Sequence, residues 1–232
     1  MGQPRLFSII DKACFDYKMI EAGDRILVGA SGGKDSTAII EYLSERKKRK
    51  NADFEFACLF VKTEFGKNLP QNILDNFKKW NVNLIQLDIN IEERSKKEKK
   101  LGCYWCSTQR RTELLRFAME NGFNKIALGH HMDDILETVL MNAVEKGVLG
   151  GMPPVLEYEK YPLKVIRPLC YAPQTVIVER AKEKNYFGFT CTCSFQDNST
   201  RKTAREKLKV LTGGDEKAKQ RLFDAFVKQK KL

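Results

Sequence analysis

The chain lacks several features that mark common classes of protein. Its 232 residues contain no apolar run of about 18, so no transmembrane helix is expected, and the first residues lack the apolar core of a secretory signal. The glycine patterns GxxxxGKS/T and GxGxxG of two common nucleotide-binding loops are missing. So are the paired CxxC motifs that form a four-cysteine zinc site. These absences predict a cytoplasmic protein without a membrane anchor.

Negative charge is scarce relative to positive charge. The net charge is +11, and residues 201–232 hold 11 Lys or Arg against 4 Asp or Glu. A basic surplus favours a polyanionic partner, of which nucleic acid is the commonest. The alternative is a solvated basic surface that only aids solubility. The concentration of the surplus in one segment favours a nucleic-acid partner.

The organising feature of the sequence is a glycine-rich loop between a strand and a helix. An apolar run at 26–28 predicts a buried strand, and a helical pattern follows the loop. Such a loop presents backbone N–H groups and a helix N-terminus to one point, which favours a phosphate. A plain turn would need only the glycines. The predicted nucleotide ligands are Ser31, Gly32, Gly33, Lys34, Asp35 and Ser36.

The alternation of strand and helix patterns predicts an α/β fold with a doubly wound parallel sheet. Strands are expected at 26–28, 54–61, 83–88 and 125–129, with two short ones at 155–158 and 164–169. We predict an N-terminal helical segment at 1–22, a main domain at 23–190, and a small, basic, α-rich extension at 191–232 packed on it. Ligands of such sheets bind at the carboxyl ends of the strands. The glycine-rich loop and residues 130–134 should therefore meet at one edge.

The seven cysteines form an odd number in a chain expected to be cytoplasmic, which favours metal or redox chemistry over disulfides. Cys103 and Cys106 form a CxxC pair, which fits a zinc knuckle, a redox pair or an iron–sulfur site. A four-iron cluster with one open iron needs three such ligands, and Cys191 or Cys193 could supply the third. The cysteines in apolar surroundings are predicted to lie in the core: Cys14, Cys58 and Cys170.

The only two histidines lie in the segment LGHHMDD at 128–134, directly after a predicted strand. Asp133 and Asp134 follow them at the start of a helix. A carboxylate beside a triphosphate is a natural site for Mg²⁺, whereas the alternative is that these side chains cap the helix.

Basic helix faces follow both cysteine clusters, and they predict contacts with a phosphate backbone. Ordinary solvated helices are the alternative. The residues concerned are Arg110, Arg111 and Arg116 after the first cluster, and Arg201, Lys202, Arg205, Lys207 and Lys209 after the second.

Motifs along nearly the whole chain resemble those of the tRNA 2-thiocytidine biosynthesis enzymes, a family of PP-loop ATPases with an adenine nucleotide alpha hydrolase-like fold. The motifs are SGGKDS at 31–36, CxxC at 103–106, LGHHMDDILET at 128–138, GMPP at 151–154, VIRPL at 165–169 and CSFQDNSTR at 193–201. Matches run from about residue 5 to residue 211. The chain departs from the family in its shorter length and in Ser194-Phe195, which replaces a Gly-Ser pair.

The resemblance implies an ATP-dependent sulfur transferase that adenylates a base carbonyl in tRNA, with an anticodon-loop cytidine as the first candidate. It implies a [4Fe-4S] cluster on Cys103, Cys106 and Cys193, with Cys191 as the alternative third ligand. ATP, Mg²⁺ and a sulfur donor, either sulfide or a persulfide carrier, complete the reaction. Many relatives are dimers, so a homodimer is a further expectation. The residues implied at the ATP and Mg²⁺ site, besides the loop, are Lys62, Gly129, Asp133 and Asp134, with Asp35 and Asp133 acting on Mg²⁺ or the reacting base.

Three other functions stay open at this stage. An amide-forming enzyme similar to lysidine synthetase would use the same ATP site and need no cysteine cluster. A cluster-dependent sulfur transferase or desulfurase could act on a different tRNA base or on a small molecule or free base, and failure of the protein to bind tRNA would favour the small molecule or free base. A nucleic-acid-binding protein with a zinc-stabilised fold would not bind ATP.

Overall fold

A computed structural model describes residues 2–94, 103–159, 161–187 and 199–229. The predicted cluster ligands Cys191 and Cys193 lie outside these ranges. The strands are β1 Asp24–Gly29, β2 Phe54–Thr63, β3 Leu84–Ile89, β4 Lys125–Ala127, β5 Val155–Glu157 and β6 Lys164–Ile166. The helices are α1 Arg5–Asp16, α2 Lys34–Lys47, α3 Gln71–Lys79, α4 Ile91–Arg94, α5 Cys103–Glu120, α6 Met132–Lys146, α7 Gln174–Glu183, α8 Ser199–Thr212 and α9 Glu216–Lys228. Within these ranges, no helix is long and apolar enough to cross a lipid bilayer.

The six strands form one sheet in the order β3-β2-β1-β4-β6-β5. All neighbours are parallel except β5 and β6, which form an antiparallel pair at one edge. The chain builds outward from β1 through β2 to β3, and then restarts on the other side of β1 with β4. A crevice opens at the carboxyl ends of the strands where the order reverses, so β1 and β4 mark the expected ligand site. The predicted doubly wound α/β fold is confirmed.

Alternating side chains of the central strands enter two separate apolar cores. Ile26 and Val28 of β1 belong to the larger core, which is packed mainly by α1, α2, α6 and α7. Leu27 belongs to the smaller core, which α5 covers from the opposite face of the sheet. A strand covered on both faces has few polar positions, which explains why β1 reads as a continuous apolar run.

Several element boundaries differ from those predicted. The first helix ends at Asp16, because Tyr17 and Lys18 form a turn and Lys18 adopts a left-handed conformation with φ 49°. β2 extends two residues further than expected, to Thr63. The predicted domain boundaries at residues 22 and 190 stay predictions.

Helices α8 and α9 pack on α6 through two carboxylates that α6 buries. Glu137 accepts from Arg205 Nε at 2.8 Å, and Asp133 accepts from Lys219 Nζ at 2.7 Å. Asp133 also accepts from the backbone N–H of Gln174 at 2.9 Å, at the start of α7. Burial by itself would raise the pKa of Asp133, but these two hydrogen bonds outweigh burial and lower it. Asp133 is therefore an ionised carboxylate in the fold, and its hydrogen bonds link α6 to α7 and α9.

Replacement of Lys219 by Met should lower the free energy of unfolding at pH 7 by roughly 2 kcal/mol, because Asp133 loses the cation that offsets its burial. The pKa of Asp133 is lower in the folded protein than in the unfolded chain, so the ionised carboxylate stabilises the wild-type fold above pH ~4. This contribution is lost as the pH falls through the lowered pKa. The difference in free energy of unfolding between wild type and variant should therefore become smaller below pH 4. Urea unfolding at pH 7 and at a pH below 4 measures this difference.

Lys217→Met is the matched control, because Lys217 is exposed on the same helix. It should change the free energy of unfolding by no more than about 0.5 kcal/mol. Equal effects of the two substitutions would contradict a stabilising role for the contact between Asp133 and Lys219.

Candidate active site

The glycine-rich loop after β1 is held in shape by its own two serines. The hydroxyl oxygens of Ser31 and Ser36 lie 2.9 Å apart, and Ser36 Oγ also accepts from the backbone N–H of Ser31 at 3.2 Å. Ser31 Oγ accepts in turn from the backbone N–H of Gly33 at 3.2 Å. Gly32 has φ +76°, a conformation that side chains with a Cβ rarely adopt. The serines and Gly32 thus fix a closed loop before any ligand binds.

Helix α2 begins directly at the end of this loop. Gly33 is its N-cap, and no side chain in the described chain caps the helix there. Lys34 Nζ lies 2.9 Å from both carboxylate oxygens of Asp35. A helix N-terminus without a side-chain cap, with a lysine beside it, is suited to a phosphate group.

The chain that leaves β4 packs directly against the start of α2. A Cβ added to Gly129 would lie 2.9 Å from the backbone nitrogen of Ser36 and 3.1 Å from the carbonyl carbon of Asp35. No other residue type fits this approach without a shift of the backbone. Gly129 therefore lets the chain after β4 lie directly against the first turn of α2.

A cavity of about 280 Å³ opens between these two strand ends and helix α5. Its lining combines the loop residues and two basic side chains of α5 with aliphatic residues of β2, α5 and the chain after β4. The lining residues are Gly29, Ala30, Ser31, Asp35, Ser36, Leu59, Val61, Ser107, Arg110, Arg111, Leu114, Leu128, Gly129 and His130.

Helix α5 presents one continuous face to this cavity. Ser107, Arg110, Arg111 and Leu114 occupy positions i, i+3, i+4 and i+7, which share one side of a helix. The spacing was visible in the sequence, but we assigned Arg110 and Arg111 there only to an RNA surface. In the structure they form the wall opposite the glycine-rich loop.

Lys62 does not line the cavity, although we expected it to border the adenine. Side chains of a strand alternate between the two faces of the sheet, and Leu59 and Val61 of β2 face the cavity. Lys62 follows Val61 and so points to the other face. The same alternation in the sequence would have indicated Leu59 and Val61.

The two aspartates after the histidines serve the ends of helices. His131 is the N-cap of α6, where its Nδ1 accepts from the backbone N–H of Asp134 at 3.4 Å. Asp134 Oδ2 accepts from the backbone N–H of His131 at 3.1 Å, which completes a capping box. The other ring nitrogen of His131, Nε2, lies 3.4 Å from Asp134 and 4.0 Å from Asp35. Asp134 thus caps the helix, the alternative interpretation of this motif, and Asp133 turns toward Lys219.

The cysteines separate into core residues and residues near the cavity. Burial raises the pKa of Cys14 to about 11 and raises the pKa values of Cys58 and Cys170 as well, so these thiols stay protonated. Cys103 begins helix α5, and Cys106 lies one turn later, directly before the cavity residue Ser107. Among the residues that the structure describes, no three His, Cys, Asp or Glu side chains are grouped to hold a metal ion.

Comparison with known proteins bears on this geometry. A family model described as a PP-loop domain matches residues 9–209. This chain belongs to the PP-loop family. Two relatives are named tRNA-cytidine(32) 2-sulfurtransferase. One, from Polynucleobacter necessarius, is 36% identical over 89% of this chain and 70% of its own length. The other, from Acaryochloris marina, is 36% identical over 90% of this chain and 75% of its own length.

The fold of this PP-loop protein also matches a solved structure. The U34-tRNA thiolase NcsA from Methanococcus maripaludis, determined with its [4Fe-4S] cluster, superposes with a TM-score of 0.77 at 19% identity. The match covers 95% of this chain and 79% of that one. At this identity the likeness shows a shared fold.

In this PP-loop protein, Gly129→Ala should weaken binding of a non-hydrolysable ATP analogue by about tenfold or more, because the new Cβ meets the backbone of Asp35 and Ser36 and distorts the loop. Isothermal titration calorimetry measures the affinity, and circular dichroism checks the fold. Gly150→Ala is the control, because a Cβ there meets no atom within 4 Å. Unchanged affinity in a folded Gly129→Ala protein would show that the loop does not need this close approach.

Proposed function

We propose that this protein is an ATP-dependent tRNA sulfurtransferase, which adenylates the C2 carbonyl oxygen of an anticodon-loop cytidine and replaces that oxygen with sulfur. One observation carries the proposal. The glycine-rich loop and the helix that begins with the CxxC motif line opposite walls of one cavity. Adenylation and sulfur delivery act on the same carbon of the base. The loop and the helix must therefore both border the space that this carbon occupies.

The relatives support the choice of substrate. Both proteins compared above are named for the 2-thiolation of cytidine 32 in tRNA, and each matches this chain over most of its length. The surplus of positive charge fits an RNA partner. The sulfur donor, sulfide or a persulfide carrier, and a homodimeric state are further parts of the proposal that rest on the family resemblance.

The loop binds the triphosphate, and the first step breaks the bond between its α- and β-phosphates. The base carbonyl oxygen attacks the α-phosphorus, and pyrophosphate leaves with the electrons of the broken P–O bond. Backbone N–H groups at 32–36 hold the phosphates, while Lys34 and Arg110 stabilise negative charge from two sides. The aliphatic side chains Leu59 and Val61 give the adenine an apolar surface.

Adenylation activates the base for substitution by sulfur. The bond from the former carbonyl oxygen to the α-phosphorus turns that oxygen into part of a good leaving group, AMP. A sulfur nucleophile adds at C2, and AMP departs with the original oxygen. Asp35 is placed to hold Mg²⁺ once the triphosphate draws Lys34 away from its carboxylate, because it is the carboxylate that lines the cavity, whereas Asp133 and Asp134 are engaged in helix contacts.

Cys103, Cys106 and Cys193 would hold the [4Fe-4S] cluster, with Cys191 as the alternative to Cys193. Cys106 fits this role, because it is half-buried at the cavity end of α5, where a thiolate can reach both protein and ligand. When bound there, the cluster would supply the sulfur atom that replaces the oxygen of the base.

Basic side chains of α8 and α5 are the proposed contacts with tRNA. Arg205 is held by Glu137 through two contacts of 2.8 and 3.5 Å, so its charge is already offset. Lys202, Lys207 and Lys209 are exposed on α8, and we propose that they contact the RNA backbone. Arg110 and Arg111 face the cavity, where they meet the part of the RNA that carries the target base.

The direct test is a thiolation assay with anaerobically purified protein, an unmodified tRNA transcript, ATP, Mg²⁺ and sulfide. We expect 2-thiocytidine in the digested RNA, together with one AMP and one pyrophosphate for each base modified. Mass spectrometry of the nucleosides identifies the base. ATP cleavage without any thiolated nucleoside, in a protein shown to hold iron and sulfide, would contradict the proposal.

Cys103→Ala should abolish cluster binding and leave the affinity for a non-hydrolysable ATP analogue unchanged within about twofold, because the loop and the cysteine lie on different elements. Iron and sulfide analysis after anaerobic reconstitution measures the cluster content, and isothermal titration calorimetry measures the affinity for the ATP analogue. Cys14→Ala is the control, since Cys14 is a buried core residue and its loss should leave the iron content unchanged. Loss of both cluster and nucleotide binding from a folded Cys103→Ala protein would contradict this separation of roles.

A further inference from the structure

Arg167 is a buried arginine at the same sheet edge as the cavity, and the mechanism above does not use it. It follows β6 directly, and only 6% of its surface is exposed. Its Nη1 donates to the carbonyl of Pro153, and its backbone N–H donates to the carbonyl of Pro154 at 2.9 Å. Arg167 thus holds the segment at 151–154 against the end of the sheet.

These contacts leave part of the guanidinium without a partner. Within the described chain, Arg167 Nε is buried and has no hydrogen-bond acceptor. No Asp or Glu of the described residues lies within 4.0 Å of Arg167, Arg110 or Arg111. Burial of a charge without a counterion costs several kcal/mol. A residue that only bound the carbonyls of Pro153 and Pro154 would need hydrogen-bond donors but no positive charge, so these contacts do not account for an arginine.

A second arginine, Arg111 of α5, lies on the same side of the sheet as this buried charge. Arg167 comes two residues after Val165, which packs in the core that α5 covers, and the cavity residue Leu128 donates its backbone N–H to the carbonyl of the neighbouring Ile166 at 3.0 Å. Burial lowers the pKa of Arg167, and while Tyr158 opposes that effect, the charge of Arg111 adds to it. Arg111 is exposed and lines the cavity, whereas Arg167 is buried. The two arginines therefore place positive charge both at the surface of the cavity and in the interior of the protein. Two guanidinium groups whose charges oppose each other are stabilised together when an anion binds to both.

We propose that Arg111 and Arg167 form a phosphate-binding site, separate from the glycine-rich loop, at the β6 side of the cavity. Guanidinium groups bind phosphate oxygens through paired, charge-assisted hydrogen bonds, which explains arginine rather than lysine at both positions. The site would receive either a phosphate of the bound nucleotide or a backbone phosphate of the RNA next to the target base. The inference rests on the proposed function only for these two phosphate sources.

The test compares Arg111→Gln and Arg167→Met with wild type in two binding measurements on the full chain. The probes are a non-hydrolysable ATP analogue and an unmodified tRNA transcript. If the nucleotide supplies the phosphate, both variants should lose about tenfold or more in affinity for the analogue and keep their affinity for tRNA. If the RNA supplies it, both should lose tRNA affinity, and the slope of its salt dependence should fall by about one. Either result supports the site.

Arg5→Gln is the control for loss of one positive charge, because Arg5 is exposed at the start of α1 and does not line the cavity. Circular dichroism and thermal unfolding establish that each variant is folded. Arg167→Lys keeps the charge and covers the case in which Arg167→Met does not fold. It should recover part of the affinity if the charge binds the ligand.

Two results would overturn the inference. The first is affinity for both probes within twofold of wild type in folded Arg111→Gln together with folded Arg167→Met or Arg167→Lys. The second is a loss confined to the Arg111 variant, which would leave Arg167 only as a clamp for the carbonyls of Pro153 and Pro154. Neither result depends on whether the protein thiolates tRNA, so failure of this inference and failure of the proposed function are distinguishable.

Discussion

The close approach of Gly129 to the backbone of Asp35 and Ser36 is the contact on which the site depends. It holds the chain that leaves β4 against the first turn of α2, at the edge where β1 and β4 lie side by side and the order of the sheet reverses. Because the backbone is closely packed at this point, the cavity has a rigid floor made of backbone atoms. A phosphate-binding loop gains affinity from such rigidity, since its N–H groups are already oriented when the ligand arrives.

In the proposed reaction, helix α5 supplies the second half of the chemistry, from the face of the sheet opposite to α2. Its first turn holds the CxxC motif, and its next two turns carry the arginines that face the loop across the cavity. Its register is fixed by Ala118 in the smaller core and by buried Glu113, which accepts from Arg94 and Arg116. One helix thus sets the positions of two cysteines relative to the phosphate loop, which gives the proposed reaction a single site.

Much of this architecture could be predicted from local sequence patterns. The apolar run before the glycine-rich loop, the alternation of strands with helices, and the histidine motif after β4 identified the fold and the edge that carries the site. The partners of individual side chains could not be predicted, because they depend on long-range packing. Asp133 contacts Lys219, 86 positions away, and Arg205 contacts Glu137 across 68 positions. Arg167 was visible only as part of a motif until its burial was known.

The central claim is that nucleotide and cluster serve one cavity. A crystal structure of the anaerobically purified protein with a non-hydrolysable ATP analogue, with iron located by anomalous scattering, tests it most directly. The account predicts the triphosphate against residues 31–36 and an iron peak at the first turn of α5, both facing the space between Arg110 and Gly129. An iron site remote from α5, or a nucleotide bound away from the loop, would contradict it.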